Sequence, residues 1–378
     1  MSKIDDLIKE LCPKEVEFKR LGEICEIKTG AGVTRKDIVE EGLFPIISGG
    51  IYPLGMYDRS NRKAKTVTIA RAGSAGYVDF IDRDFYLNDK CFSVIPFESY
   101  QDNINSRFLY FALKNIEQSI IDMKSAGSVP TVNTQKVSKI KIPVPPLEVQ
   151  KEIVRVLDSF TELEAELEAE LEARKKQYEY YRNTLLTFED DKNITWVELG
   201  EVTKYEQPTK YIVRSSDYND NFSIPVLTAG KTFILGYTDE SSGIYNASVH
   251  PVIIFDDFTT ANKLVDFDFK VKSSAMKIIT SLDEGTALLK YIYHWLNTLP
   301  SGLVEGDHKR QWISSWSKKK IPIPPLEKQK KIVSILDKFE KLTNDISVGL
   351  PAEIEARRKQ YEYYRNKLLT FKELECSR

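Results

Sequence analysis

One peptide occurs twice in this chain. Residues 174–188 read RKKQYEYYRNTLLTF and residues 357–371 read RRKQYEYYRNKLLTF, identical at 13 of 15 positions. A second shared peptide precedes each copy, IPVPPLE at Ile142–Glu148 and IPIPPLE at Ile321–Glu327. The chain is therefore a unit of about 180 residues used twice, and a repeat of that length outranks any local motif as a guide to architecture. Each half is long enough to bury a core of its own.

Weaker matches extend the duplication into the remaining sequence. Leu21–Gly22–Glu23 corresponds to Leu199–Gly200–Glu201, FPIISGG from Phe44 to IPVLTAG from Ile224, and RFLYFAL from Arg107 to KYIYHWL from Lys290. Strand-like runs such as TVTIA at Thr66–Ala70 and PVIIF at Pro251–Phe255 lie between turn signals. The fold class expected is α+β. Residues 1–145 and 189–324 form two globular domains, and residues 146–188 and 325–378 form two long helical arms.

From Leu147 to Phe188 there is no Gly or Pro, and apolar residues recur at helical spacing: Ile153, Leu157, Phe160, Leu163, Leu167, Leu171, Tyr178, Tyr181 and Leu185. This predicts one helix of about 40 residues, roughly 60 Å long, starting after Pro145 and Pro146, since proline is tolerated only in a first turn. The second arm repeats the stripe, but Gly349 and Pro351 predict a kink or short break. So narrow a stripe needs a partner helix, and each arm is the other's natural partner. Their charges are complementary. Leu147–Phe188 holds ten acidic and six basic residues, net −4, whereas Leu326–Phe371 holds seven and ten, net +3. Connectivity makes the pair antiparallel, a coiled coil between two end domains with approximate two-fold symmetry.

Several function classes are disfavoured. No window approaches the roughly 18 apolar residues of a spanning helix, and the start MSKIDDLIKELCPKEVEF lacks a secretory signal, so a cytoplasmic location is expected. Four cysteines without a CxxC pair and three scattered histidines argue against a zinc site or a disulfide framework. A phosphate-binding loop ending at Gly230–Lys231–Thr232 would need glycine where Pro225 stands. No adenine-methyltransferase Asn/Asp-Pro-Pro-aromatic motif, GxSxG or HExxH is present. Asp256–Asp257 lacks a following Glu-x-Lys and reads as a turn or helix cap, not as a nuclease ligand pair.

Two variable domains, each closed by a PPLExQ peptide and a long helix ending in RKQYEYYR-x-LL-x-F, resemble the DNA-specificity (S) subunits of type I restriction-modification enzymes. The resemblance covers essentially the whole chain. It implies a non-catalytic targeting subunit that reads a bipartite, asymmetric site in double-stranded DNA, one target-recognition domain per half-site. It also implies two methylation subunits carrying S-adenosylmethionine, and restriction subunits using ATP and Mg²⁺, with no cofactor or metal bound by this chain. Members of that family carry tandem tetrapeptides where this chain has ELEA three times over Glu162–Ala173, so Leu163, Leu167 and Leu171 mark a spacer helix. The second arm lacks such a tandem and is four residues longer between Phe339 and Ala352 than the first is between Phe160 and Ala169.

Base edges and phosphates are met by basic and amide side chains on loops. The candidates in the first domain are Arg59, Arg62, Lys63, Arg71, Ser74, Lys124 and Asn133; in the second they are Lys210, Arg214, Lys231, Lys263, Lys309 and Arg310. The globular regions are near neutral, so part of the phosphate grip is expected from partner subunits. Tyr178, Tyr181, Tyr361 and Tyr364 belong to tyrosine triplets larger than one seam can bury, which makes them candidates for contact with methylation subunits.

Overall fold

The computed structural model describes Glu10 and residues 15–125, 130–188, 194–229, 232–300, 310–345 and 348–374. These fall into two compact units, residues 1–168 with 354–378, and residues 169–353. Five helices organise them: α1 (Ser106–Asn115), α2 (Leu147–Leu185), α3 (Leu289–Leu296), α4 (Leu326–Asn344) and α5 (Leu350–Leu369). The boundary at Glu168 lies inside α2. α2 is a single helix of 39 residues, as its spacing predicts.

In the first unit, strands Cys25–Thr29, Cys91–Pro96, Thr66–Ala70 and Val78–Ile81 form an antiparallel sheet in that spatial order. Thr66–Ala70 is central and wholly buried, which is why it reads as an unbroken β-rich run. A second sheet orders Met56–Tyr57, Phe44–Ile47 and Tyr86–Leu87, the last two parallel. The pair Phe18–Arg20 and Lys141–Pro143 leads into the Pro-rich peptide.

The second unit repeats this order strand for strand. Thr203–Glu206, Met276–Ser281, Val252–Asp256 and Asn262–Val265 form its four-stranded sheet. Ile234–Thr238, Ile224–Leu227 and Lys270–Val271 form the three-stranded one. Thr195–Glu198 pairs with Lys320–Ile323. The duplication read from short peptides is therefore a duplication of topology, and the class is α+β.

The PPLExQ peptide owes its residues to packing. Gln150 is fully buried; its amide donates to Asn103 O at 2.8 Å and Pro145 O at 2.7 Å, and its Oε1 accepts from Asn105 N at 2.9 Å. Gln329 does the same in the second unit, with Thr286 O at 2.9 Å, Pro324 O at 2.9 Å and Leu288 N at 3.0 Å. Each glutamine thus fastens the start of a long helix to the loop that opens α1 or α3.

Antiparallel helix pairing is present within each unit. In the first, Phe160 of α2 stacks on Tyr364 of α5 with centroids 5.4 Å apart. Further along α2 and back along α5, Arg358 pairs with Glu164 at 2.6 Å and Glu168 at 2.5 Å. In the second, Phe339 of α4 stacks on Tyr181 of α2 at 5.4 Å, while Leu186 and Phe188 share a core with Ile332 and Leu336. The same phenylalanine–tyrosine contact recurs with the contributing helices exchanged. The expected interruption of the second arm also occurs: α4 ends at Asn344 and α5 begins at Leu350. A Cβ on Gly349 would meet the carbonyls of Lys341 and Asp345 at 2.6 Å, so only glycine fits that turn. Pro351 occupies the first turn of α5, where its missing N–H costs nothing.

Candidate nucleic-acid interface

The candidate residues do not behave alike. Arg62 is architectural: its guanidinium donates to Ser93 Oγ at 2.9 Å, Asn61 O at 2.8 Å and Thr29 O at 3.1 Å, which leaves little for a ligand. Asn133 accepts from Lys136 N at 2.9 Å as the N-cap of a short helix, Thr134–Ser138. Lys63 pairs with Asp84 at 2.9 Å, and Arg59 donates to Tyr57 Oη at 3.0 Å. Arg71 is exposed, whereas Ser74 and Lys124 are half-buried. Lys28, Arg62, Lys63 and Lys65 share an open groove of about 890 Å³ with Glu26.

In the second unit Lys210 pairs with Glu206 at 2.7 Å, and Lys263 lies 4.6 Å from the Phe233 ring centroid. Arg214 and Arg310 are exposed. Lys231 and Lys309 lie outside the described residues. Leu163, Leu167 and Leu171 are half-buried on α2. Of the tyrosines, Tyr178, Tyr181, Tyr361 and Tyr364 belong to the helix seams. Tyr180 and Tyr363, which the spacing did not single out, are the outward ones, 66% and 61% exposed.

The Arg214 loop is held by a buried cation. Lys270, 3% exposed at its side chain, lies 3.0 Å from Glu240. It also donates to Ser242 O at 2.6 Å. Glu240 in turn accepts from Arg214 N at 2.8 Å and Ser215 N at 2.9 Å. The Ser215 hydrogen bond, with Lys270 and the Arg214 N–H, lowers the Glu240 carboxyl from its ordinary 4.5 to about 2. Because the folded-state value is depressed, this stabilisation is present above pH 4.5 and disappears as pH falls toward 2. Glu240→Gln is therefore expected to lower the thermal midpoint at neutral pH, with the gap to wild type closing between pH 4.5 and 2. A gap that stays constant over that range in thermal scans would show that the charge is irrelevant.

Among the described residues, one histidine–carboxylate cluster has metal-ligand spacing, formed by His294, Asp337 and Glu340. Its atoms are committed to the seam. His294 meets Asp337 at 2.9 Å and Tyr178 Oη at 3.3 Å, Asp337 also takes Lys290 at 2.6 Å, and Glu340 accepts from Tyr293 Oη at 2.6 Å. Cys25 and Cys91 are buried thiols that desolvation pushes up to about 12, leaving them protonated at neutral pH.

Two copies of one α+β domain, each with its pair of antiparallel helices, define a duplicated recognition scaffold. The model of the type I restriction-modification DNA specificity domain matches twice, over residues 13–173 and 191–356, and the chain belongs to that family. It is similar to the putative type I restriction enzyme specificity subunit S.HindORF215P of Haemophilus influenzae, 33% identical over 97% of this chain and 98% of that one. With the EcoR124I/EcoR124II specificity subunit of Escherichia coli it shares 63% identity over 191 residues, 49% of this chain and 46% of that subunit. The fold is that of the S subunit from M. genitalium, with a TM-score of 0.66 at 15% identity over 94% of this chain and 96% of that one. No helix among the described residues is long and apolar enough to cross a membrane.

Proposed function

We propose that this chain is the DNA-specificity subunit of a type I restriction-modification complex. Each globular domain reads one half of a bipartite, asymmetric site in double-stranded DNA, and the helical arms set the spacer and dock two methylation subunits. The observation that carries this reading is a strand order repeated in full while the loops between strands have diverged. A shared scaffold with different loops suits two different half-sites, as two-fold symmetric readers suit palindromes.

The chain acts by positioning and does no chemistry itself. S-adenosylmethionine is bound by the methylation subunits, and ATP and Mg²⁺ by restriction subunits, within a cytoplasmic assembly. Near neutrality of the globular regions fits a phosphate grip shared with those partners. Tyr180 and Tyr363, in identical sequence contexts on α2 and α5, present matching aromatic contacts for two copies of one partner.

The test is to assemble the chain with its methylation subunits and sequence the methylated bases in DNA exposed to the complex. Modification of a single bipartite sequence is the expected result. Sequence-independent modification, or methyl transfer by the chain alone, would overturn the proposal.

A further inference from the structure

Resting on that reading, we infer that one backbone clasp, present in both units, carries the arginine that reads a guanine in each half-site: Arg71 in the first and Arg310 in the second. In the first unit the central strand Thr66–Ala70 runs out into Arg71. The Arg71 N–H donates to Lys90 O at 2.8 Å, and its carbonyl accepts from Val132 N at 2.9 Å. The second unit repeats this with Asp257, whose N–H donates to Ala275 O at 3.1 Å and whose carbonyl accepts from Gln311 N at 2.9 Å. The cross-strand pairs Ala70–Cys91 and Asp256–Met276 put Arg71 and Asp257 at the same step of equivalent ladders. Residues 131–146 and 310–325 align without a gap through the Pro-rich peptides, so Val132 corresponds to Gln311 and Thr131 to Arg310.

The clasp therefore offers two side-chain places, one at the strand end and one on the incoming segment. The first unit fills them with Arg71 and Thr131, the second with Asp257 and Arg310. Each clasp holds one arginine, from opposite sides. The strand-end place of the second unit cannot present a side chain outward, because Asp257 is fully buried, 3.1 Å from Lys277 and accepting from Trp312 N at 2.9 Å. The basic group has moved to the facing segment.

Both arginines are exposed, and the Arg310 carbonyl accepts from Ser314 Oγ at 2.8 Å. Ser74 N donates to Gly49 O at 2.7 Å. A Cβ on Gly49 would stand 2.0 Å from Ala72 O, and Gly73 has φ +78°. Two loops are thus interlocked beneath Arg71, the preorganisation that specific contacts need. Its guanidinium makes one long contact, 3.5 Å to Asp89 O, and that of Arg310 has no partner among the described residues. By contrast Arg62, Lys63 and Lys210 are already engaged. An exposed guanidinium fork matches the O6 and N7 acceptors of guanine in the major groove.

The experiment is methylation sequencing with complexes carrying Arg71→Ala, Arg71→Lys, Arg310→Ala or, as a control in another loop, Lys36→Ala. Arg71→Ala should relax one G·C position of one half-site, with discrimination there falling roughly 5- to 150-fold. Arg310→Ala should do the same in the other half-site only, and Arg71→Lys should not restore the lost preference. Unchanged half-sites, or a uniform loss that lysine rescues, would overturn the inference while the wild-type bipartite site stands. A wild-type complex with no sequence preference would overturn this inference together with the function it rests on.

Discussion

Asp257→Ala should destabilise the second unit by about 3–5 kcal/mol, because it strands a fully buried ammonium without its counter-charge. Lys277 and Asp257 are both completely inaccessible, 3.1 Å apart, and the Tyr205 ring centroid lies 5.5 Å from the ammonium. Against a domain stability of about 5–15 kcal/mol the loss is large. The double change Asp257→Asn, Lys277→Met removes both charges and keeps an acceptor for Trp312 N. It should recover most of the stability, since a buried pair is often no better than an apolar pair of the same volume. All four tryptophans, Trp196, Trp295, Trp312 and Trp316, belong to the second unit, so fluorescence-detected urea unfolding reports on it specifically. A single Asp257→Ala cost below about 1 kcal/mol would mean that water or rearrangement solvates Lys277.

Adding one ELEA tetrapeptide to α2 should change the site modified without changing what either domain reads. Four residues lengthen a helix by about 6 Å, one or two steps of duplex at roughly 3.4 Å each. The expected methylated sequence keeps both half-sites and gains one or two spacer base pairs. The original spacing should lose modification by on the order of 100-fold or more, as the contacts of a whole half-site go out of register. The repeat is suited to such changes, because Arg358 is gripped by Glu164 and Glu168, equivalent glutamates of successive tetrapeptides. Sliding by one repeat offers the arginine another glutamate. Altered half-site sequences in the methylation profile would refute this division of labour.

The helices and the duplication were legible because their signals are periodic or repeated. The break at Gly349 was legible for a similar reason, since glycine and proline act locally. The interface was far less so. Arg62 looks like any residue of a basic loop, and its commitment to Thr29 O and Ser93 Oγ depends on strands more than 30 positions away. Asp256 was readable as a turn former, and it does accept from Phe258 N at 2.9 Å and Thr259 Oγ1 at 2.5 Å. Asp257, read with it as a turn or helix cap, is instead half of a buried ion pair, because Lys277 lies on the adjoining strand in the residue paired with Phe255. The kinship of Arg71 and Arg310 is likewise hidden from composition, since they occupy opposite sides of the same clasp.

The first unit is discontinuous, and this bears on how the chain matures during synthesis. Residues 354–378 complete it, through the bond from Val16 N to Lys372 O at 2.9 Å and the ion pairs of Arg358. The second unit is one uninterrupted stretch. A ribosome adding about 5–20 residues per second takes on the order of ten seconds or more to pass from Glu168 to Ile354. Throughout that interval the cluster of Phe108, Phe111, Val149, Ile153 and Leu157 lacks Leu368 and Leu369. The domain translated first is thus finished last, and its unfilled seam is the surface on which a chaperone, or a premature partner, would act.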